Sequence, residues 1–169
     1  KSEKLLVVQQ SAEKQKINLA VKENIITFVG KLNKAKGYDV FGAAILDILN
    51  KYKKWSAVVI GDEERERLYF EHKNLNILGF QNHSNVLKVF KKTSISVVCS
   101  RWEEPFGRTS LESSSCGCAV IITKRGGLPE TITNGIIVEK LNKKNIFNAI
   151  EKLIVDKKLR NNLQKLSLK

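Results

Sequence analysis

The sequence predicts an α/β fold in which a Rossmann-like parallel sheet is covered by helices on both faces. Short apolar runs alternate along the chain with segments whose apolar residues recur at helical spacing. Runs such as residues 57–60 and 119–122 are apolar at every position, rather than alternating between apolar and polar. Strands buried on both faces have this character, and their alternation with helices is typical of parallel sheets.

Each element follows from the same patterns. The predicted strands cover residues 25–29, 57–60, 75–78, 95–99, 119–122 and 136–138. Helical spacing predicts helices at residues 38–52, 108–115, 144–155 and 159–168, with shorter ones around 86–90 and 129–133. The charged segment 63–73 is either a loop or an exposed helix.

The 169 residues, 42% hydrophobic and 28% charged, are enough for one domain with a complete core. No apolar run approaches the roughly 18 residues of a membrane-spanning helix, and no secretory signal peptide is recognised. The chain begins at Lys1 and has no methionine, so we expect it to be part of a longer protein. Residues 1–23 would be a connector from an N-terminal domain, and residues 24–169 the folded domain.

The formal net charge is +13, from 30 Lys and Arg residues against 17 Asp and Glu residues. Such an excess attracts nucleic acid, an anionic membrane surface or phosphate ligands, or simply forms a lysine-rich solvated surface. No aromatic–basic interleaving or known nucleic-acid-binding motif is present, so no nucleic-acid partner is expected. A solvated surface would account for most of the excess.

Three cysteines, Cys99, Cys116 and Cys118, lie in or beside apolar segments. Their odd number predicts reduced thiols and a cytoplasmic protein. Cys116-Gly117-Cys118 lacks the Cys-x-x-Cys spacing and has no histidine nearby, which favours buried small residues over a redox or metal pair. No cluster of His, Asp or Glu has metal-ligand spacing either, so we expect neither a metal nor another cofactor.

Residues 100–112, Ser-Arg-Trp-Glu-Glu-Pro-Phe-Gly-Arg-Thr-Ser-Leu-Glu, lie between a predicted strand and a predicted helix. Such a turn favours phosphate, because unpaired backbone N–H groups and the helix dipole face the ligand. The carboxylates of Glu104 and Glu112 suit hydroxyl groups instead, which donate hydrogen bonds to them. The segment predicts a ligand that carries both phosphate and sugar.

Three further segments follow predicted strands and would meet this motif at one edge of the sheet. Residues 30–37 place Lys31 and Lys36 between two glycines, where they would clamp a diphosphate, although the Walker pattern is missing. Leu-Gly-Phe at residues 78–80 would offer backbone groups to a base. Gly-Gly-Leu-Pro-Glu at residues 126–130 completes the set.

The ordered set Gly-Lys-x4-Lys-Gly, Ile-Gly-Asp, Leu-Gly-Phe, Glu-Pro-Phe-Gly-x4-Glu and Gly-Gly-Leu-Pro-Glu resembles a known family. It is similar to the C-terminal, donor-binding domain of retaining GT-B glycosyltransferases of family 4, the glycosyl transferases group 1. The similarity runs from about residue 24 to about residue 163. It implies that this chain is the C-terminal half of a GT-B fold.

The resemblance implies catalytic roles for Lys31 and Lys36 at the donor diphosphate and for Glu104 beside the transferred sugar. Glu112 would accept hydrogen bonds from the ribose hydroxyls, or would merely favour the helix N-terminus. Lys31 stands where the family more often has Arg, so it keeps the charge but lacks the bidentate fork. The remaining donor-binding residues would be Phe106, Gly107, Arg108 and Thr109 at the phosphates, Gly79 and Phe80 at the base, and Gly30.

Some roles stay open at this point. Glu103 competes with Glu104 as the loop carboxylate, and spacing favours Glu104. Arg125 would touch phosphate or lie at the rim, and Trp102 would cover the sugar or pack at an interface. The two histidines are expected to be surface or turn residues.

The resemblance implies transfer of a hexose from a UDP-, GDP- or ADP-sugar to an acceptor hydroxyl, with retention and without a metal. Lys31, Lys36 and the helix N-terminus would stabilise the charge on the leaving diphosphate. The acceptor, a glycan or glycolipid, would bind an N-terminal domain outside these residues, so this chain alone is expected to be inactive. By family analogy we expect envelope glycan synthesis (lipopolysaccharide or capsule) in the cytoplasm, with an anionic inner-membrane surface as a further candidate partner.

Other functions compete with this one. A GT-B sugar phosphorylase or a nucleotide-sugar epimerase would use a similar phosphate site. A nucleotide-sugar-binding module without catalysis is a second alternative, against which the intact Glu-x7-Glu motif speaks. A nucleic-acid-binding protein is suggested by charge alone.

Overall fold

The computed structural model describes residues 11–13 and 15–168. Much of the predicted connector, residues 1–10 and 14, lies outside the described residues. The strands are β1 (Glu23–Val29), β2 (Ser56–Ile60), β3 (Leu75–Ile77), β4 (Thr93–Val98), β5 (Ala119–Thr123) and β6 (Ile136–Val138). The helices are α1 (Tyr38–Lys51), α2 (His83–Lys92), α3 (Arg108–Ser115), α4 (Lys143–Val155) and α5 (Lys157–Ser167), with 3-10 turns at Leu19–Val21 and Leu128–Thr131.

The strands form one sheet in the order β3-β2-β1-β4-β5-β6, and every neighbouring pair is parallel. The predicted Rossmann-like parallel sheet is therefore confirmed. The chain order reverses between β1 and β4, where connections leave toward opposite edges of the sheet. In open α/β sheets a crevice forms at this point, beyond the carboxyl ends of the strands.

Strand β5 shows why the strand runs are apolar at every position. Ala119 and Ile121 join a core cluster on one face of the sheet, under α1 and α4. Val120 and Ile122 join a second cluster on the other face, with α2. Because every side chain of β5 is buried against one layer or the other, the strand has no polar face.

Most predicted boundaries agree with the structure to within three residues. Segment 63–73, left open between a loop and a helix, contains no helix and is linked to the β1–α1 loop by the hydrogen bond from Asn33 to Glu63. The short helix predicted at 129–133 is the 3-10 turn Leu128–Thr131. Within residues 11–13 and 15–168, no helix has the length and apolarity required to cross a membrane.

All three cysteines are unpaired thiols in the core, as the sequence predicts. Burial raises the pKa of Cys99 and of Cys118 to about 12. Because thiolate is the reactive form, these two side chains act as small apolar groups rather than nucleophiles.

Candidate functional site

The loops that follow β1 and β4 face each other at the point where the strand order reverses. Between them lies an open cavity of about 350 Å³. Most of the residues predicted for the site line it: Gly30, Lys36, Glu104, Phe106, Gly107, Arg108 and Thr109.

A lysine–glutamate pair lies at this cavity. The ammonium Nζ of Lys36 donates to Oε1 of Glu104 at 2.5 Å. The side chain of Glu104 is only 11% exposed, whereas that of Lys36 is 33% exposed. A carboxylate this buried requires a partner, since an unpaired buried charge is costly. The pair therefore offers a cation for phosphate beside an acceptor for hydroxyl groups.

The chain after β4 fixes the loop that carries Lys36. The carbonyl of Ala35 accepts hydrogen bonds from the N–H groups of Arg101 and Trp102, at 2.8 and 3.1 Å, and from the hydroxyl of Ser100 at 3.1 Å. The guanidinium of Arg101 bonds both carboxylate oxygens of Asp39, at 2.6 and 2.8 Å. It also donates to the carbonyl of Lys34 at 2.6 Å. Arg101 is thus a positioning residue for the Lys36 loop.

Arg101→Ala is expected to lower the free energy of unfolding by about 1 kcal/mol, because it removes a bidentate, half-exposed ion pair and a bond to a carbonyl. A matched control is Arg125→Ala, since Arg125 makes a single, more exposed contact with Glu103 and should cost less than about 0.5 kcal/mol. Urea unfolding of both variants measures the difference. Equal losses would show that Arg101 does not hold the loop.

The Arg101 contribution should depend on pH. Partial burial alone would raise the pKa of Asp39, but the hydrogen bond and charge of Arg101 outweigh it and the pKa is lowered. A lowered pKa means that the stabilisation is present above the unfolded-state pKa of about 4 and is lost as pH falls through the folded-state pKa. The difference in free energy of unfolding between the wild type and Arg101→Ala should therefore become smaller at acid pH.

Helix α3 directs its N-terminus at the same cavity. Gly107 caps the helix in the left-handed conformation, with φ of 89°. Within the described part of the chain, the N–H groups of Gly107, Arg108 and Thr109 have no protein acceptor. Free N–H groups at the positive end of a helix dipole form an anion site.

The glycine pair Gly126-Gly127 packs against the backbone of the Glu104 loop. The N–H of Gly127 donates to the carbonyl of Glu104 at 2.7 Å, and the N–H of Gly126 donates to the carboxylate of Glu103 at 2.5 Å. A Cβ at Gly126 would lie 2.3 Å from the carbonyl oxygen of Glu104. Glu103 therefore bonds the glycine loop and Arg125 at the rim, while Glu104 lines the cavity.

A second cavity of about 260 Å³ adjoins the first and shares Gly30 with it. It contains Lys31 and Phe80, whose side chain is exposed. The two lysines predicted as one clamp thus lie in neighbouring cavities, on either side of Gly30. Gly79 lines neither, and its carbonyl accepts a hydrogen bond from Gly61 at 2.9 Å.

Glu112 lies in a third, smaller cavity of about 100 Å³, which shares Arg108 with the central one. Its Oε1 is 3.3 Å from Nε2 of His83 and 3.3 Å from the guanidinium of Arg108. The sequence predicted a surface or turn position for His83 and did not reveal this contact. The signal that could have found it was Asn82, whose side chain caps α2 and so places His83 at the first helical position.

The sequence also suggested roles for the side chains of Trp102 and His72. Trp102 is 62% exposed and lines none of these three cavities. His72 accepts a hydrogen bond from the N–H of Asn74 in a turn, as predicted. Among the described residues no group of three or more His, Cys, Asp or Glu side chains is arranged to hold a metal ion.

Comparison with known proteins identifies the family. The sequence profile of Glycosyl transferases group 1 matches residues 9–168. The D-inositol 3-phosphate glycosyltransferase of Corynebacterium jeikeium is 27% identical over 87% of this chain and 39% of its own length. An uncharacterized glycosyltransferase of Methanocaldococcus jannaschii is 33% identical over 83% of this chain and 41% of its own length. The chain thus spans less than half the length of these relatives.

Solved structures support the same family assignment. The crystal structure of the C-terminal domain of LpcC, a glycosyl transferase group 1 protein of Francisella tularensis, has a TM-score of 0.74 and 31% identity, covering 85% of this chain and 81% of that one. HepE of Anabaena, crystallised with UDP-glucose, has a TM-score of 0.72 and 21% identity over 89% of this chain and 44% of that one. The chain therefore belongs to the Glycosyl transferases group 1 family and has the fold of the C-terminal domain of GT-B glycosyltransferases.

Proposed function

We propose that this chain is the donor-binding domain of a retaining GT-B glycosyltransferase of family 4, a hexosyltransferase that uses a nucleotide diphosphate sugar. The observation that carries the proposal is the central cavity, where the Lys36–Glu104 pair lies beside the free N–H groups of α3. The ammonium and the N–H groups suit a diphosphate, and the carboxylate suits the hydroxyls of a sugar.

In this proposal the barrier is the departure of the nucleoside diphosphate from an oxocarbenium-like sugar carbon. Lys36 and the α3 N-terminus stabilise the charge that builds on the leaving oxygens, and Glu104 contacts the sugar. Lys31, in the cavity with Phe80, approaches the diphosphate from the side of the base. Because these groups supply positive charge where negative charge develops, the proposed transfer is metal-independent.

Glu112 is proposed to accept hydrogen bonds from the ribose. Its cavity shares Arg108 with the central cavity, so Glu112 lies close to the place where the proposed phosphates contact the α3 N-terminus. Glu104 and Glu112 occupy separate cavities, which speaks against the acid–nucleophile pair of a glycosidase.

The comparisons support a nucleotide sugar as the ligand class. HepE shares the fold and was crystallised with UDP-glucose, so UDP-sugars are tested first, and GDP- and ADP-sugars next. We propose that the acceptor is a glycan or glycolipid bound by an N-terminal domain, in cytoplasmic synthesis of envelope glycans at the inner membrane. This chain alone is then expected to bind donor but to transfer no sugar.

Calorimetric titration of the 169-residue chain with UDP, GDP, ADP and their sugar conjugates, with and without Mg²⁺, tests the proposal. We expect saturable, metal-independent binding of one nucleoside diphosphate. Absence of binding by all of them would refute the donor-site assignment.

The ribose role makes a sharper prediction. Glu112→Gln keeps the shape of the side chain but removes its charge, so it should raise the nucleotide Kd by about 10-fold, the equivalent of one charge-assisted hydrogen bond. Glu130→Gln removes an exposed carboxylate from the Gly-Gly-Leu-Pro-Glu motif and serves as the control. Equal affinities in the two variants would exclude Glu112 from the ribose contact.

A further inference from the structure

A second polar cavity lies at the opposite edge of the sheet, where the strands begin. Its volume is about 490 Å³. Asn24 and Ser94 come from the first residues of β1 and β4, Trp55 precedes β2, and α5 closes one side. Among the described residues that line it are three cations, Lys22, Lys157 and Arg160, and no carboxylate. Its other polar residues are Asn24, Ser94, Asn161 and Gln164.

Arg160 is the most buried of these cations, with 8% of its surface exposed. Its Nη1 donates to the carbonyls of Leu153 and Ile154 at 2.6 and 3.1 Å, and its guanidinium lies 5.2 Å from the ring centre of Trp55. No carboxylate of the described residues lies within ion-pair distance, and Nε and Nη2 have no partner there. The guanidinium is accompanied by two carbonyl groups and the Trp55 ring, and burial lowers the pKa of Arg160.

Lys22 also lines the cavity, but the partners of its ammonium lie outside that lining. Its ammonium donates to the carbonyls of Phe90 and Cys116 at 2.9 and 2.6 Å. Burial lowers the pKa of Lys22. With Sγ of Cys118 at 3.7 Å as a third partner, the Lys22 ammonium is fully occupied. Arg160, whose Nε and Nη2 have no partner among the described residues, is therefore the cation that would gain from an anion in the cavity.

We propose that this cavity binds a phosphate-bearing polar molecule. The free N–H groups of Arg160, with Lys157 beside them in the first turn of α5, are suited to phosphate oxygens. The cavity is larger than a phosphate needs, and its amide side chains suit hydroxyl groups, so a sugar phosphate or a lipid headgroup matches its size and chemistry. The site is independent of the donor cavity.

The alternative is that Arg160 and Lys22 serve only to bond the carbonyls at the ends of α4, α2 and α3. In that case the cavity holds water alone. The two possibilities differ in whether a phosphate compound perturbs the residues that line it.

The test is a two-dimensional ¹H–¹⁵N NMR titration of the 169-residue chain with inorganic phosphate and with glucose 6-phosphate, followed at the amides of α5. Phosphate binding at the donor cavity is followed separately, through the amide signals of Gly107 to Thr109. We expect saturable shifts at residues 157–164. No saturable shift there up to about 10 mM of either compound overturns the proposal.

Matched variants locate the site. Lys157→Gln should weaken binding at the α5 amides by about fivefold or more, whereas Lys158→Gln, with the same charge change just outside the cavity, should leave it unchanged. Equal weakening of binding by the two substitutions would show that binding depends on general surface charge, and it would overturn the proposal. Co-sedimentation with vesicles containing phosphatidic acid, again sensitive to Lys157→Gln, assigns a lipid headgroup. Sensitivity only in the glucose 6-phosphate titration assigns a free sugar phosphate.

Discussion

Lys36→Ala is expected to lower kcat of the complete glycosyltransferase by about 100-fold or more, with a smaller change in the KM for the donor. In the proposed mechanism, the ammonium stabilises negative charge that is greatest in the transition state, when the diphosphate departs. Interactions that strengthen in the transition state appear in kcat rather than in ground-state binding. Steady-state kinetics on a full-length protein that contains this chain measures the effect.

Lys34→Ala provides the control from the same loop. Lys34 is 67% exposed and makes only a 3.8 Å contact with Glu66, so its removal should leave kcat nearly unchanged. A second comparison separates chemistry from stability. Lys36→Ala leaves Glu104 buried without a partner, whereas the double variant with Glu104→Gln removes that charge and should recover stability but not activity. Unchanged kcat in Lys36→Ala would eliminate its catalytic role.

Gly37→Ala is expected to reduce the free energy of unfolding by about 3 kcal/mol or more. Gly37 precedes α1 with φ of 74°, and a Cβ there would lie 1.9 Å from the carbonyl oxygen of Cys99. The methyl group would meet backbone rather than a flexible side chain, so the β1 and β4 loops would have to separate. Thermal unfolding should show a fall of about 6 °C or more.

The control is Gly79→Ala. Gly79 has a similar φ of 65°, but nothing lies within 4 Å of the position that a methyl group would occupy there. This variant should carry only the left-handed backbone penalty of about 1 kcal/mol. Similar losses of unfolding free energy in Gly37→Ala and Gly79→Ala would show that the clash with the Cys99 carbonyl does not determine the cost.

The sequence predicted the sheet well because each strand carries its own signal. A run that is buried on both faces is apolar throughout, so β5 could be recognised without knowing its neighbours. Segment 63–73 had no such periodicity, and its conformation depends on contacts such as that between Asn33 and Glu63.

The site was predicted less completely, because its loops have motifs but its side-chain pairs do not. The approach of the 30–37 loop to Glu104 could be predicted because both follow strands, and the carboxyl ends of parallel strands lie at one edge of the sheet. The Arg101–Asp39 pair and the contact of His83 with Glu112 join residues that are distant in sequence and have no spacing rule. The separation of Lys31 from Lys36 also depends on which way each side chain leaves the backbone, which no pattern encodes.

The pairing of β1 with β4 at the centre of the sheet has a kinetic consequence. The contacts from Lys36 to Glu104 and from Ser100 to Ala35 join residues 68 and 65 positions apart. Closing chain segments of that length costs conformational entropy. That entropy is lost before the contacts themselves stabilise the chain. We therefore expect the central cavity to be assembled late in folding, once the two halves of the sheet have joined. Nucleotide binding at this proposed site during refolding would then report the completion of the central strand pair.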